Sequence, residues 1–453
     1  MKSRTKYLLL LDLLGANGAL FLAYLPLAHD QFRYFNPSAA GVVRGIVIVT
    51  GVLFTSYFME LYNSDIRYDL AGLAARIAIA INISFLGLMF FVFLIPTLTI
   101  GHKVLTGYLL GFGFIQFGIH AGFSYLEQKF ELLPRVLILG AGQLAAEMGD
   151  VVGEMTHNYL LTGFFPVGTE QIAVSPGKIV GEGMNLTETA LKKRVDKIVV
   201  AVGAQFNEYP LQEILACKLR GISVLDAPTF YEKVMGKMLI EQITPEWFIF
   251  SQGFQISALK RAFKRTLDIL ICLLLLPLLI LFFPLIALVI KLDSTGPVIF
   301  GQIRVGEHEK PFTLYKLRTM DNNAEVGTGA VWAQNNDPRI TRMGGFLRKC
   351  RLDEFPQLYN VLRGDMSIVG PRPERPEFIE QLKEIIPYYS ERHLIKPGVT
   401  GWAQVNYPYG ASVADAVEKL RYDLYYLKNF STWLDIIIII ETVKVIFLQR
   451  GGR

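Results

Sequence analysis

Four apolar stretches, roughly Tyr7–Leu27, Gly41–Leu61, Ala74–Leu94 and Val104–Leu126, dominate the start of the chain. Each is near the length of about 20 residues that carries a helix through the hydrocarbon core of a bilayer. They predict a bundle of four membrane helices. Lys2, Arg4 and Lys6 precede the first stretch as they would in a cleaved signal peptide, but the spans that follow favour a retained membrane segment. Lys2, Arg4, Lys6, Arg67, Arg76, Lys129 and Arg135 fall at ends that share one side, whereas Arg33, Arg44 and Lys103 fall on the other. This bias predicts that the N-terminus and everything after Glu127 lie in the cytoplasm.

The pattern then changes. Residues 135–145, RVLILGAGQLA, read as a short buried strand, a glycine turn and the start of a helix. A second strand pattern follows at 197–203, KIVVAVG, and a third at 221–226, GISVLD. Strands alternating with helical segments predict a small α/β domain with a parallel sheet.

A fifth apolar run, Leu267–Leu292, is long enough to span a membrane, yet Pro277 and Pro284 interrupt it and Lys264, Arg265 and Lys291 flank it on both sides. An interior proline removes a helix hydrogen bond and bends the axis. A fifth crossing would also carry the C-terminal region out of the cytoplasm. A bent helix that enters and leaves by one face is the preferred reading. Trp433–Leu448 is strongly apolar but carries Asp435, Glu441 and Lys444, so it reads as an interfacial or packed element.

Composition supports this picture. The chain of 453 residues is 52% hydrophobic and 19% charged, with a mean hydropathy of +0.36, too apolar for an ordinary soluble protein. Its net charge of +5 supports no nucleic-acid partner. Cys217, Cys272 and Cys350 lack disulfide or metal-ligand spacing, and the six histidines do not cluster.

The glycine turn, Gly140-Ala-Gly142 with Ala145, fits the G-x-G-x-x-A pattern that lets a backbone approach a pyrophosphate. The acidic residue expected about 20 positions later is not evident in 161–166, LTGFFP. Nucleotide binding through Gly140 and Gly142 therefore stands beside a Rossmann-like domain that has lost its pocket. A membrane-anchored nucleotide-sugar dehydratase or epimerase would need a Tyr-x-x-x-Lys pair downstream of the turn. That spacing occurs at Tyr125 and Lys129, upstream of it.

The densest chemistry lies between Gly296 and Tyr407. Asp353 and Glu354 are adjacent carboxylates among Arg348, Lys349 and Arg351. Pro356 suits a first helical position and Gly364 a stop, which puts the acidic pair near a helix start, where a phosphate, a cation and a carboxylate can meet. Mg²⁺ takes one or two carboxylates plus phosphate oxygens. Arg372, set between Pro371 and Pro373, is presented stiffly and can grip a phosphate through two N–H groups. A solvated, salt-bridged helix is the plainer reading of an isolated Asp-Glu pair, but the surrounding turns are denser than a helix face requires.

At these residues the sequence resembles the bacterial sugar transferases, the monotopic polyprenyl-phosphate phosphoglycosyl transferases, over essentially all of Lys260–Arg453. The carriers are Lys264-Arg265-x-x-Asp268, GPVIF at 296–300, QIRVG at 302–306, YKLRTM at 315–320, RLDEFPQLYN at 351–360, GDMSIVGPRP at 364–373 and PGVTGW at 397–402. The leading helices and α/β domain resemble the long form that starts exopolysaccharide or O-antigen units. The family's usual Ser-Pro helix break falls between the positions of Pro277 and Pro284, so neither proline matches it.

The resemblance implies three regions: membrane helices at 1–130, a Rossmann-like cytoplasmic domain at 131–250, and an α+β monotopic catalytic domain at 251–453 with a re-entrant helix at 264–292. It implies that Asp353 attacks the sugar-bearing phosphorus of a UDP-sugar, expels UMP, and passes the phosphosugar to undecaprenyl phosphate at the inner membrane. Asp353 and Glu354 would hold Mg²⁺. Arg348, Arg351 and Arg372, with Lys316, Arg318 and Arg304, would bind substrate phosphate, and Lys264 and Arg265 would meet lipid headgroups. The middle domain would bind a ligand or form homodimer contacts. Glucose, galactose and N-acetylated hexosamines fit the donor equally. A non-enzymatic scaffold for polysaccharide assembly is the alternative, disfavoured by Asp353, Glu354 and Arg372 standing together.

Overall fold

The computed structural model describes residues 2–24, 39–62, 70–95, 101–129, 133–155, 158–168, 170–181, 185–202, 210–251, 253–321, 337, 339–407, 410 and 412–447. Leu27, Arg33, Arg67, Gly203, Leu448 and Arg453 of the sequence reading lie outside them. The chain divides into two compact units, Met1–Leu225 and Asp226–Arg453.

The first unit opens with helices α1 (Lys2–Tyr24), α2 (Ala39–Phe58), α3 (Leu70–Leu94) and α4 (His102–Lys129). Three have stretches long and apolar enough to cross a membrane, Thr5–Ala23, Leu70–Phe93 and Lys103–Glu127, and α2 holds a shorter apolar run, Val42–Phe58. Ala16, Ile48, Val52, Leu88, Tyr108 and Phe112 form their shared core, while Leu14, Phe54, Phe90, Phe93 and Phe114 point outward. Outward apolar surface of that extent suits lipid. Inside, the fully buried Asp12 of α1 accepts hydrogen bonds from Tyr62 Oη at 2.8 Å and from Gln116 Nε2 of α4 at 2.6 Å. Pairing of this kind is what polar groups need where water is absent.

The α/β part runs β1 (Arg135–Leu139), α5 (Gln143–Glu154), β2 (Leu160–Phe165), α6 (Leu186–Lys192), β3 (Lys197–Val200), α7 (Leu211–Leu219) and β4 (Ser223–Asp226). The sheet order is β2-β1-β3-β4, and β1 is parallel to both of its neighbours. Val136, Leu137, Ile138 and Leu139 are each fully buried, the unbroken apolar run of a strand covered on both faces.

The second unit runs α8 (Ala227–Met235), α9 (Pro245–Phe250), α10 (Ala258–Asp293), β5 (Ile299–Val305), β6 (Pro311–Leu317), α11 (Arg342–Lys349), α12 (Gln357–Arg363), β7 (Ser367–Val369), α13 (Pro376–Ile385), β8 (Gly398–Thr400), α14 (Trp402–Asn406), α15 (Val413–Lys428) and α16 (Thr432–Phe447). Residues 226–250, assigned from the sequence to the middle domain, pack here. Met238 N donates to Arg421 O at 3.0 Å, Trp402 Nε1 to Gly236 O at 2.7 Å, and Arg421 pairs with Glu241 at 2.6 Å.

Helix α10 bends by 58° between Ala258–Pro277 and Leu279–Asp293. The two limbs meet just after Pro277, and Pro284 lies inside the second limb. The first limb is bolted down by charge. Lys264 Nζ donates to Asp435 of α16 at 2.9 Å, and Asp268 Oδ1 accepts from Ser367 Oγ at 2.9 Å and Ile368 N at 3.0 Å. Arg265 donates to the carbonyls of Val361 and Leu362 at 2.5 and 2.7 Å, adding charged donors to the carbonyl end of α12. That helix stops at Gly364, whose φ of 99° favours glycine. Leu270, Leu274, Leu281, Leu285 and Leu288 along α10 are exposed.

β5 and β6 form an antiparallel hairpin from Ile299↔Leu317 to Val305↔Pro311. The far edge of β6 is closed by the fully buried Asn360, which accepts from Tyr315 N at 3.1 Å and donates to Thr313 O at 2.7 Å. Asn360→Leu strands both backbone groups, so we expect it to destabilise the second unit by about 2–4 kcal/mol. Denaturation of the purified protein in detergent checks this.

Candidate active site

Asp353 and Glu354 lie in the 3-10 turn Leu352–Glu354, entered through Arg351 in the left-handed conformation (φ 57°, ψ 17°). That reversal lets helix α11, capped by the Thr341 side chain, deliver the chain into α12 with the acidic pair at the junction. Both residues are 8% exposed, buried enough to feel each other and open enough to be reached.

Their partners differ. Glu354 faces Arg372 Nη2 at 2.8 Å, Lys316 Nζ at 3.6 Å and Arg351 Nη1 at 4.0 Å. Burial pushes its carboxyl up, but the Arg372, Lys316 and Arg351 cations outweigh it and hold Glu354 well below the usual carboxylate range. Asp353 accepts no hydrogen bond among the described residues. Burial pushes its pKa up and the charge of Glu354 adds to this, against the pull of Lys316, Arg348 and Arg372. Glu354 is thus the clamped carboxylate and Asp353 the available one. Lys316 is pushed down to about 8, by burial first and then by Arg372, against the attraction of both carboxylates.

The cations are themselves held. Lys316 projects from β6, the strand whose edge Asn360 closes. Arg348 Nε donates to Thr319 Oγ1 at 2.9 Å. The Pro371-Arg372-Pro373 segment is gripped by its carbonyls: Arg392 Nη2 donates to Arg372 O at 3.0 Å and Arg304 Nη1 to Pro373 O at 3.1 Å. Arg392 is buried against Asp423 at 2.7 Å.

Of the residues singled out from sequence, Asp353, Glu354, Lys316, Arg348, Arg351 and Arg372 are brought together. Arg304 stands behind them as a brace, also 3.6 Å from Glu374. Arg318 turns away to Ser294 at the end of α10, with contacts of 2.7 Å to the carbonyl and 3.0 Å to Oγ. Lys264 and Arg265 are committed to α10's own anchoring and do not join the acidic pair. Gly140 and Gly142 belong to the first unit. Arg392 and Asp423 were not anticipated; they lie in different elements, and no spacing links them. Among the described residues no three His, Cys, Asp or Glu side chains converge as a metal cage.

The family model described as bacterial sugar transferase matches residues 259–449. An Escherichia coli UDP-glucose:undecaprenyl-phosphate glucose-1-phosphate transferase is 36% identical over 331 residues, 70% of this chain and 68% of that protein. A Komagataeibacter xylinus undecaprenyl-phosphate glucose phosphotransferase is 34% identical over 333 residues, 71% of this chain and 60% of its own length. An Aeromonas hydrophila UDP-N-acetylgalactosamine-undecaprenyl-phosphate N-acetylgalactosaminephosphotransferase is 47% identical over 193 residues, 42% of this chain but 45% of its own length. With the acidic turn, its ring of cations and a relative matched over two thirds of its length, the chain belongs to the bacterial sugar transferase family.

Proposed function

We propose that this protein transfers a hexose-1-phosphate from a UDP-sugar to undecaprenyl phosphate, with Asp353 as the nucleophile. The observation that carries the reading is the division of labour between the two carboxylates. Glu354 is saturated by cations, whereas Asp353 is open, more basic than an ordinary aspartate, and within the field of Lys316, Arg348 and Arg372.

In the first step an Asp353 carboxylate oxygen bonds to the sugar-bearing phosphorus, and the bond to the bridging oxygen breaks to release UMP. In the second, a phosphate oxygen of undecaprenyl phosphate bonds to the same phosphorus, the acyl-phosphate bond breaks, and the Asp353 carboxylate is regenerated. No net proton is required. Two displacements replace one difficult encounter, and the fixed cations stabilise charge on the transferring phosphoryl group. The donor set suits Mg²⁺, because Asp353 has carboxylate oxygens not taken up by hydrogen bonds beside Glu354. A divalent ion held there with substrate phosphates would neutralise further phosphoryl charge.

The 58° bend and outward leucines of α10 support a helix that enters and leaves the membrane by one face. With the basic bias of the N-terminal helix ends, it favours a catalytic unit working at the cytoplasmic face of the inner membrane. A bilayer there would bring the polyprenyl acceptor and the soluble nucleotide to the same boundary.

UMP release from a panel of UDP-sugars by the purified protein tests the reaction and names the sugar. We expect release from the wild type and a loss on the order of a thousandfold or more in Asp353→Asn. Release at the wild-type rate from that variant would remove Asp353 as nucleophile, and no release with any donor would favour the scaffold.

The pH profile supplies a second test. Lys316 loses its charge as pH rises through about 8, and Asp353 is neutralised as pH falls through a value above that of an ordinary aspartate. UMP release should therefore decline on both sides. Lys316→Arg keeps its proton, so its alkaline limb should move upward; an unmoved limb would detach Lys316 from the chemistry.

A further inference from the structure

The glycine turn of the α/β domain already holds an anion, and the anion is part of the chain. Gly140, at the end of β1, has φ of +123°, and a Cβ there would lie 2.5 Å from the Ala201 carbonyl oxygen. The position requires glycine. It lies at the end of a strand flanked by β2 on one side and β3 on the other. In doubly wound sheets, a ligand's phosphates settle outside such a point, on the amides that open the following helix. Here Gly142 precedes the twelve-residue helix α5 and offers no side-chain cap.

Glu170 fills that place. Ala141 N donates to its Oε1 at 2.5 Å and Gly142 N to its Oε2 at 3.1 Å, so both carboxylate oxygens are engaged; Val167 N is 3.4 Å from Oε1. The fit is close, since a Cβ at residue 142 would stand 3.0 Å from Oε2. Ala173 N donates to Ala141 O at 2.8 Å, pinning the far end of the same segment over the turn. An acidic residue that would read a ribose belongs at the end of β2 and faces the ligand's sugar. Glu170 comes after β2 and folds back onto the turn instead.

We propose that Glu170 is a built-in anionic cap occupying the pyrophosphate seat of this domain, so that the domain completes its glycine turn with its own carboxylate and takes no dinucleotide there. The cap satisfies two amides and places negative charge at a helix N-terminus. Glycine at 140 is required by the approach of the Ala201 carbonyl, and glycine at 142 leaves room for the Glu170 carboxylate.

Hydrogen exchange and ligand-induced thermal shift on the full-length protein in detergent test this. In the wild type, the amides of Ala141 and Gly142 should be strongly protected, and millimolar NADH, ADP or pyrophosphate should leave the melting temperature unchanged. Glu170→Gln preserves size but can accept well from only one amide, so protection should fall at the other. Glu170→Ala should lose protection at both and gain a thermal shift with pyrophosphate that the wild type lacks. Freely exchanging wild-type amides, wild-type stabilisation by NADH or ADP, or a folded Glu170→Ala that ignores pyrophosphate would each overturn the proposal. Should Glu170→Ala not fold, the wild-type and Glu170→Gln measurements decide it.

Discussion

Two neighbouring carboxylates cannot share a mostly buried turn unless something offsets their repulsion and their lost hydration. The architecture of the second unit answers that constraint. The β5–β6 hairpin brings Lys316, α11 brings Arg348, the left-handed entry residue is Arg351, and a proline-flanked loop brings Arg372. Because most of this positive charge is spent on Glu354, its neighbour is left buried, electron-rich and unbonded. The asymmetry comes from placement, since the two side chains differ by a single methylene.

Rigidity behind the cations matters as much as their charge. A guanidinium on a loose loop would pay rotational and backbone entropy each time it met a phosphate. Arg372 avoids much of this because the carbonyls on its own residue and on Pro373 are both held by buried or braced arginines, Arg392 and Arg304. Arg392 in turn rests on Asp423 and on the Tyr389 hydroxyl at 2.7 Å. The cluster is thus a hierarchy, with outer charges fixing the inner ones.

Much of this was legible in the sequence, for identifiable reasons. Apolar runs of membrane length announce α1, α3 and α4 directly, and α2 nearly so. The β-branched run of β1 and β3 announces a sheet covered on both faces. The acidic pair, Arg372 and Gly364 are readable because turn residues fix their local geometry. What could not be read are contacts made at long range. Lys264 and Arg265 look like headgroup ligands beside an apolar helix, yet their partners are Asp435 and the carbonyls of α12. Glu170 falls past the place where a ribose contact is sought, and its contacts with the Ala141 and Gly142 amides follow from no local pattern. Arg318, inside a motif rich in site residues, lies just past the end of β6 and is tied to Ser294 at the end of α10.

The bond between Lys264 and Asp435 spans a sequence separation of 171 residues. A ribosome finishes α10 long before it makes the carboxylate that neutralises this lysine, and the Tyr426 hydroxyl that also holds Asp435 arrives only shortly before it. Until then the ammonium has no buried counter-charge and must stay in water or among lipid phosphates. The Lys264–Asp435 bond is consequently the last of these α10 anchors whose partner is synthesised, and a nascent chain stopped short of α16 holds the bent helix by its Asp268 and Arg265 contacts without it.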